Sequence, residues 1–198
     1  MARLFLAAFA VFAVVDWLAV ARGAKRLEYV AKPAALAALV GYAASGAASA
    51  WLMVALSLSL AGDVFLMLPA DLFLAGLGAF FLAHLAYVAS FQASVGARLA
   101  CWIVLTAIAS PIASQVLRAV AGSGLRVAVA LYMLVLTLMV ASAVASGSVV
   151  AAAGAVLFLG SDSLIAWNRF VRPVPAAEPL IMVTYHLGQL GLVSALRA

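Results

Sequence analysis

Apolar residues in this chain come in long unbroken runs, not at alternate positions. Runs of roughly twenty residues, apolar on every side, are long enough to cross a bilayer as α-helices. In hydrocarbon each backbone N–H and C=O must bond within its own segment, which favours helices. Strands of a membrane barrel would alternate polar and apolar residues over about ten positions. The pattern predicts an all-α polytopic membrane protein, one transmembrane domain over 1–198, with helices at about 4–21, 33–45, 50–68, 72–92, 99–117, 125–145, 149–168 and 179–196. Ser45-Gly46-Ala47-Ala48-Ser49 divides the run from Pro33 to Leu68, which is too long for one span. Pro69-Ala70-Asp71 reads as a turn, with Asp71 able to cap the next helix. Arg22, Lys25, Arg26 and Lys32 read as a basic loop before Pro33.

Composition supports this reading. The chain is 69% hydrophobic and 9% charged, too little polar surface to clothe a soluble domain of this length. Basic residues explain orientation without any nucleic-acid partner. With the N-terminus outside, eight of the eleven Lys/Arg fall in inner loops and only Arg3, Arg98 and Arg197 lie outside. The first run, ending Ala19-Val20-Ala21, resembles a secretory signal, but Asp16 and Trp17 interrupt it.

Candidate chemistry lies in the charges that interrupt the runs. Asp63 sits in Leu60-Ala61-Gly62-Asp63-Val64-Phe65-Leu66 and Asp162 in Leu159-Gly160-Ser161-Asp162-Ser163-Leu164. A bare carboxylate at membrane depth costs roughly 2.5–3.5 kcal/mol on insertion scales, so such groups are paired, neutralised or functional. Both fall five or six residues before the inner end of their helix, roughly 8–9 Å deep at 1.5 Å per residue. Asp16 and Tyr185 lie at a similar level, with His84 deeper. Together they suggest a polar pocket toward one leaflet. Asp16 is expected to pair with Lys32 or Arg26. A faint repeat relates Gly62-Asp63 to Ser161-Asp162 and His84-Leu85 to His186-Leu187, which suggests a 4+4 arrangement about an axis along the membrane normal. A single cysteine, two histidines, no HExxH and no Gly-x-Ser-x-Gly give no metal or cofactor site to propose.

Several segments taken in order resemble the YhhN-like family, which includes the transmembrane-86 lysoplasmalogenases. They are Lys32-Pro33, Gly62-Asp63-Val64-Phe65-Leu66-Met67, Gly76 to Tyr87 with its His84-Leu85-Ala86-Tyr87, Leu157 to Ala166 with Asn168-Arg169-Phe170, and Met182-Val183-Thr184-Tyr185 with Gln189. Gly160 departs from the family, where a larger residue is expected. The resemblance implies an enzyme that hydrolyses the vinyl ether of a lysoplasmalogen to a fatty aldehyde and a glycerophospho-base. Under it, Asp63 and Asp162 are catalytic, a buried pair sharing a proton, as in aspartic proteases. Lys32, His84, Tyr87, Asn168, Arg169, Tyr185 and Gln189 contact a lysophospholipid, with Lys32, Arg169 or Arg172 meeting its phosphate. The implied partners are that substrate and the surrounding membrane lipids, and the implied location is a bacterial inner membrane with both termini outside.

Two readings from other classes use the same residues. A proton-coupled transporter or lipid carrier also places acids and histidines within the membrane. A membrane scaffold would satisfy both aspartates and leave no cavity.

Overall fold

The computed structural model describes residues 1–197, and among these it is helical throughout, without strands. The helices are α1 (Ala2–Ala21), α2 (Lys25–Ala44), α3 (Ala50–Met67), α4 (Phe73–Ser90), α5 (Val95–Ala119), α6 (Arg126–Ala145), α7 (Val149–Ala166) and α8 (Ala177–Leu196). A π-helical turn, Trp167–Val171, continues α7. Seven of these helices are long and apolar enough to cross a membrane. The protein is a polytopic membrane protein. α2 falls short because charges fill its first two turns.

Local chemistry explains most of the ends. Ser49, Ser94 and Ser148 cap α3, α5 and α7, each side chain accepting from the backbone N–H three residues on at 3.2 Å. The Ser94 cap starts α5 at Val95, a turn earlier than the apolar run suggests. α2 departs most from expectation. It begins at Lys25, not at Pro33, and carries Pro33 inside it. Lys25 pairs with Glu28 at 2.9 Å in the first turn, and the stretch taken for a loop is helix. Asp71 caps nothing. It adopts φ 45° and meets Arg169 at 3.0 Å, while Leu72 precedes α4 without a side-chain bond.

The helices form antiparallel hairpins, α1–α2, α3–α4, α5–α6 and α7–α8. The first four and last four helices pack alike. α2 packs on α3 as α6 does on α7, and α4 meets α6 as α8 meets α2. One equivalence fails. α1 packs against α8, but α5 makes no comparable contact with α4 and leans instead on α6 and the π-helical turn. α7 and α8 approach most closely through glycines. A Cβ on Gly154 would stand 2.7 Å from the backbone N of Leu192, and one on Gly188 2.9 Å from that of Phe158.

Candidate active site

A cavity of about 580 Å³ occupies the space that α5 leaves open. Its walls are mostly apolar, with Leu105, Ile108 and Ile112 from α5, Leu77 and Phe80 from α4, and Leu136 from α6. Its polar lining includes Lys32, Asp63, Tyr132, Ser161, Asp162 and Tyr185. Five different helices supply these six groups. Five lie within about two turns of the same end of the bundle, which keeps them level despite alternating chain direction; Tyr185 is slightly deeper.

The two aspartates share the cavity but not a hydrogen bond. Asp63 is buried against Lys32, with Nζ 3.1 Å from Oδ1, and accepts the Tyr185 hydroxyl at 2.6 Å on Oδ2. Tyr185 is held from behind. Gln189 donates to its oxygen at 3.3 Å, and Tyr87 donates to Gln189. Asp162 has a different set. Its Oδ2 accepts the Tyr132 hydroxyl, and His84 Nε2 lies 3.0 Å from that hydroxyl oxygen and 3.6 Å from the carboxylate. Phe158 stands between the sets, its ring 5.0 Å from His84 and 5.3 Å from Tyr185. The expectation of one proton held directly between the carboxylates is therefore replaced by two separately partnered acids.

The partners follow the repeat. Asp63 on α3 is engaged from α2 of its own half and α8 of the other. Asp162 on α7 is engaged from α6 of its own half and α4 of the other.

The remaining sequence candidates are scattered. Asn168 accepts from the backbone N–H of Val174 at 2.8 Å and so closes the turn before α8. Arg169 pairs with Asp71 and lies 4.2 Å over the Phe73 ring, at the end of the cavity that Phe73 and Phe170 close. Arg172 lies over Trp167 and has no acidic partner among the described residues. Asp16 pairs with neither Lys32 nor Arg26; both its oxygens lack a hydrogen-bond partner among the described residues. Tyr132 was not legible as a site residue. In Leu131-Tyr132-Met133 it reads as one more apolar helix position, and its only signal is its distance from the helix start, close to that of Lys32 on α2.

The sequence pattern of the YhhN family matches residues 27–196. The chain belongs to the YhhN family. Among curated proteins it is similar to lysoplasmalogenase TMEM86B of Homo sapiens, with 38% identity over 156 residues, 78% of this chain and 67% of that protein. The lysoplasmalogenase TMEM86B of Mus musculus is 37% identical over 162 residues, again 78% of this chain and 67% of the relative. No solved structure matches. The family match takes in both aspartates and every partner named above, so this YhhN chain's site lies wholly inside the family region.

Proposed function

We propose that this chain is a membrane-embedded ether hydrolase of the lysoplasmalogenase type, cleaving the vinyl ether of a lysophospholipid to a fatty aldehyde and a glycerophospho-base. The observation that carries the reading is the unequal partnering of two acids at the polar end of one apolar cavity.

A vinyl ether is hydrolysed through its alkene. A proton added to the carbon remote from oxygen leaves an oxocarbenium ion. Water adds to the oxygen-bearing carbon, and the hemiacetal splits into aldehyde and alcohol. The route needs one group that gives and regains a proton and one that stays negative beside the cation. Asp162 suits the first role. It ends a chain of exchangeable protons, His84–Tyr132–Asp162, and the Tyr132 hydroxyl can donate to either neighbour. Asp63 suits the second, because the Lys32 ammonium and the Tyr185 hydroxyl both favour its ionised form. Asp162 protonates the alkene carbon, and the incoming water returns a proton to it, so the cycle consumes only water.

The cavity suits the hydrocarbon chain, and Arg169, over the Phe73 and Phe170 rings that line one end, suits the phosphate, with Arg172 three residues on as a second candidate. By the distribution of Lys and Arg, that end faces the cytoplasm, with both termini outside. A bacterial inner membrane fits this orientation. A cavity reaching both acids counts against a mere scaffold.

The test is purified protein with lysoplasmalogen and a diacyl-derived lysolipid, scoring released aldehyde and fatty acid. Asp63→Asn and Asp162→Asn should stay folded, Asp63→Asn with a lower unfolding midpoint because buried Lys32 loses its counter-charge, and each should lose aldehyde release by about a hundredfold or more, the double variant falling little further. Near-full hydrolysis by either variant would overturn the mechanism. Proton-driven lipid uptake without aldehyde would return the site to the carrier reading.

A further inference from the structure

Where α1, α2 and α8 pack together, the bundle contains polar atoms that no described residue satisfies. Asp16 on α1 and His186 on α8 are both 0% exposed. Neither Asp16 oxygen has a partner among the described residues, and neither has His186 Nε2. The adjacent Trp17 donates its indole N–H to His186 Nδ1 at 3.0 Å. That bond makes Nδ1 the acceptor, so Nε2 carries the imidazole proton and is an unmet donor. Lys32 stands on the neighbouring side of α8, its ammonium 5.9 Å from the centre of the Tyr185 ring, which lies 5.4 Å from the His186 ring. Its ammonium has three donors, and Asp63 lies 3.1 Å away.

Unmet donors and acceptors buried together are what an internal water satisfies, with two to four bonds each. A water accepting from His186 Nε2 or Lys32 and donating to Asp16 would meet these groups. We propose that α1, α2 and α8 hold an internal water site at Asp16, His186 and Lys32, and that it supplies the water consumed at Asp63 and Asp162. The supplying step rests on the hydrolase reading above; the site does not. The physical need is plain. A hydrocarbon chain filling the cavity on the α5 side excludes water there, so the nucleophile needs another approach. Glu28, one helical turn from Lys32 on α2 and paired with the exposed Lys25, marks where this approach meets the surface.

X-ray radiolytic labelling in ¹⁸O-water reads bound water directly, since radicals formed in place oxidise side chains beside it. Trp17 and His186 should be labelled in the intact protein despite their burial, and the label should fall about tenfold in Asp16→Leu, where the acceptors are gone. No label in the parent, or equal label in Asp16→Leu, overturns the site. On lysoplasmalogen, Asp16→Leu should lower kcat about tenfold at unchanged KM, and Asp16→Asn, which still binds water, should lose less. Unchanged kcat in Asp16→Leu overturns the supply. If the parent releases no aldehyde at all, the hydrolase reading fails and the labelling still decides the site.

Discussion

Lys32 is the residue whose role depends most on its depth. Its ammonium is inside the bundle only because Asp63 receives it at 3.1 Å. Removing one member of a buried pair strands the other, at a cost of about 3–5 kcal/mol, whereas replacing both with apolar groups is often neutral. Lys32→Met should therefore lower the unfolding midpoint in detergent far more than Lys32→Met with Asp63→Leu. Equal losses would mean the pair is not tightly coupled. Tyr132 answers to a different measurement. Tyr132→Phe removes the hydroxyl between His84 and Asp162 with little change in shape. Aldehyde release should fall about a hundredfold, in the range of one proton-transfer group, with the fold intact by thermal melt. The aspartates were legible in the sequence because a charge in an apolar run is costly and conspicuous. Lys32 was visible too, but as a loop residue, because Pro33 looked like a helix's first turn. Tyr132 was hidden because tyrosine costs little in a membrane helix and so raises no alarm.

At the scale of the element, α7 carries two glycines with opposite meanings. Gly154 lets α8 approach so closely that a methyl group would strike backbone. Gly160, one turn and a half further on, has open space where its Cβ would be. Gly160→Ala should be neutral or stabilise by about 1 kcal/mol through helix propensity. Gly154→Ala should destabilise and, by spreading α7 from α8, also reduce activity. Melting curves of the two variants, with aldehyde assays alongside, separate these outcomes. The departure from the family at Gly160 thus falls where a larger side chain has room. Helix ends were legible where serine caps or glycine turns mark them. The π-helical turn at Trp167–Val171 was not, because a single wider turn closing the end of α7 leaves no periodic trace.

At the scale of the whole molecule, the two halves repeat until α5. Had α5 packed on α4 as α1 packs on α8, a ring closed by contacts like Trp17–His186 would have left no cavity. This asymmetry was beyond sequence reading, since α5, though less apolar than α1, is still long and apolar enough to span a membrane. On the proposed reading it also makes α5 the wall against which the substrate's chain would lie. Ala109 and Ala113 face the cavity from it. Ala113→Phe should raise KM for long-chain substrates and spare short-chain ones, measured across an alkenyl series; a length-independent effect would put the hydrocarbon elsewhere.

The cavity's one-sided polarity also divides what leaves it. Cleavage converts one amphiphile into two fragments of opposite solubility. On the proposed reaction, the aldehyde belongs to the oil and the glycerophospho-base to the aqueous phase. A fragment that leaves by partition leaves only as fast as its solvent will take it. In sparse detergent the aldehyde has nowhere to dissolve and should accumulate in the site as an inhibitor. In a bilayer it is diluted at once, and the protein's own solvent becomes the sink that draws turnover forward.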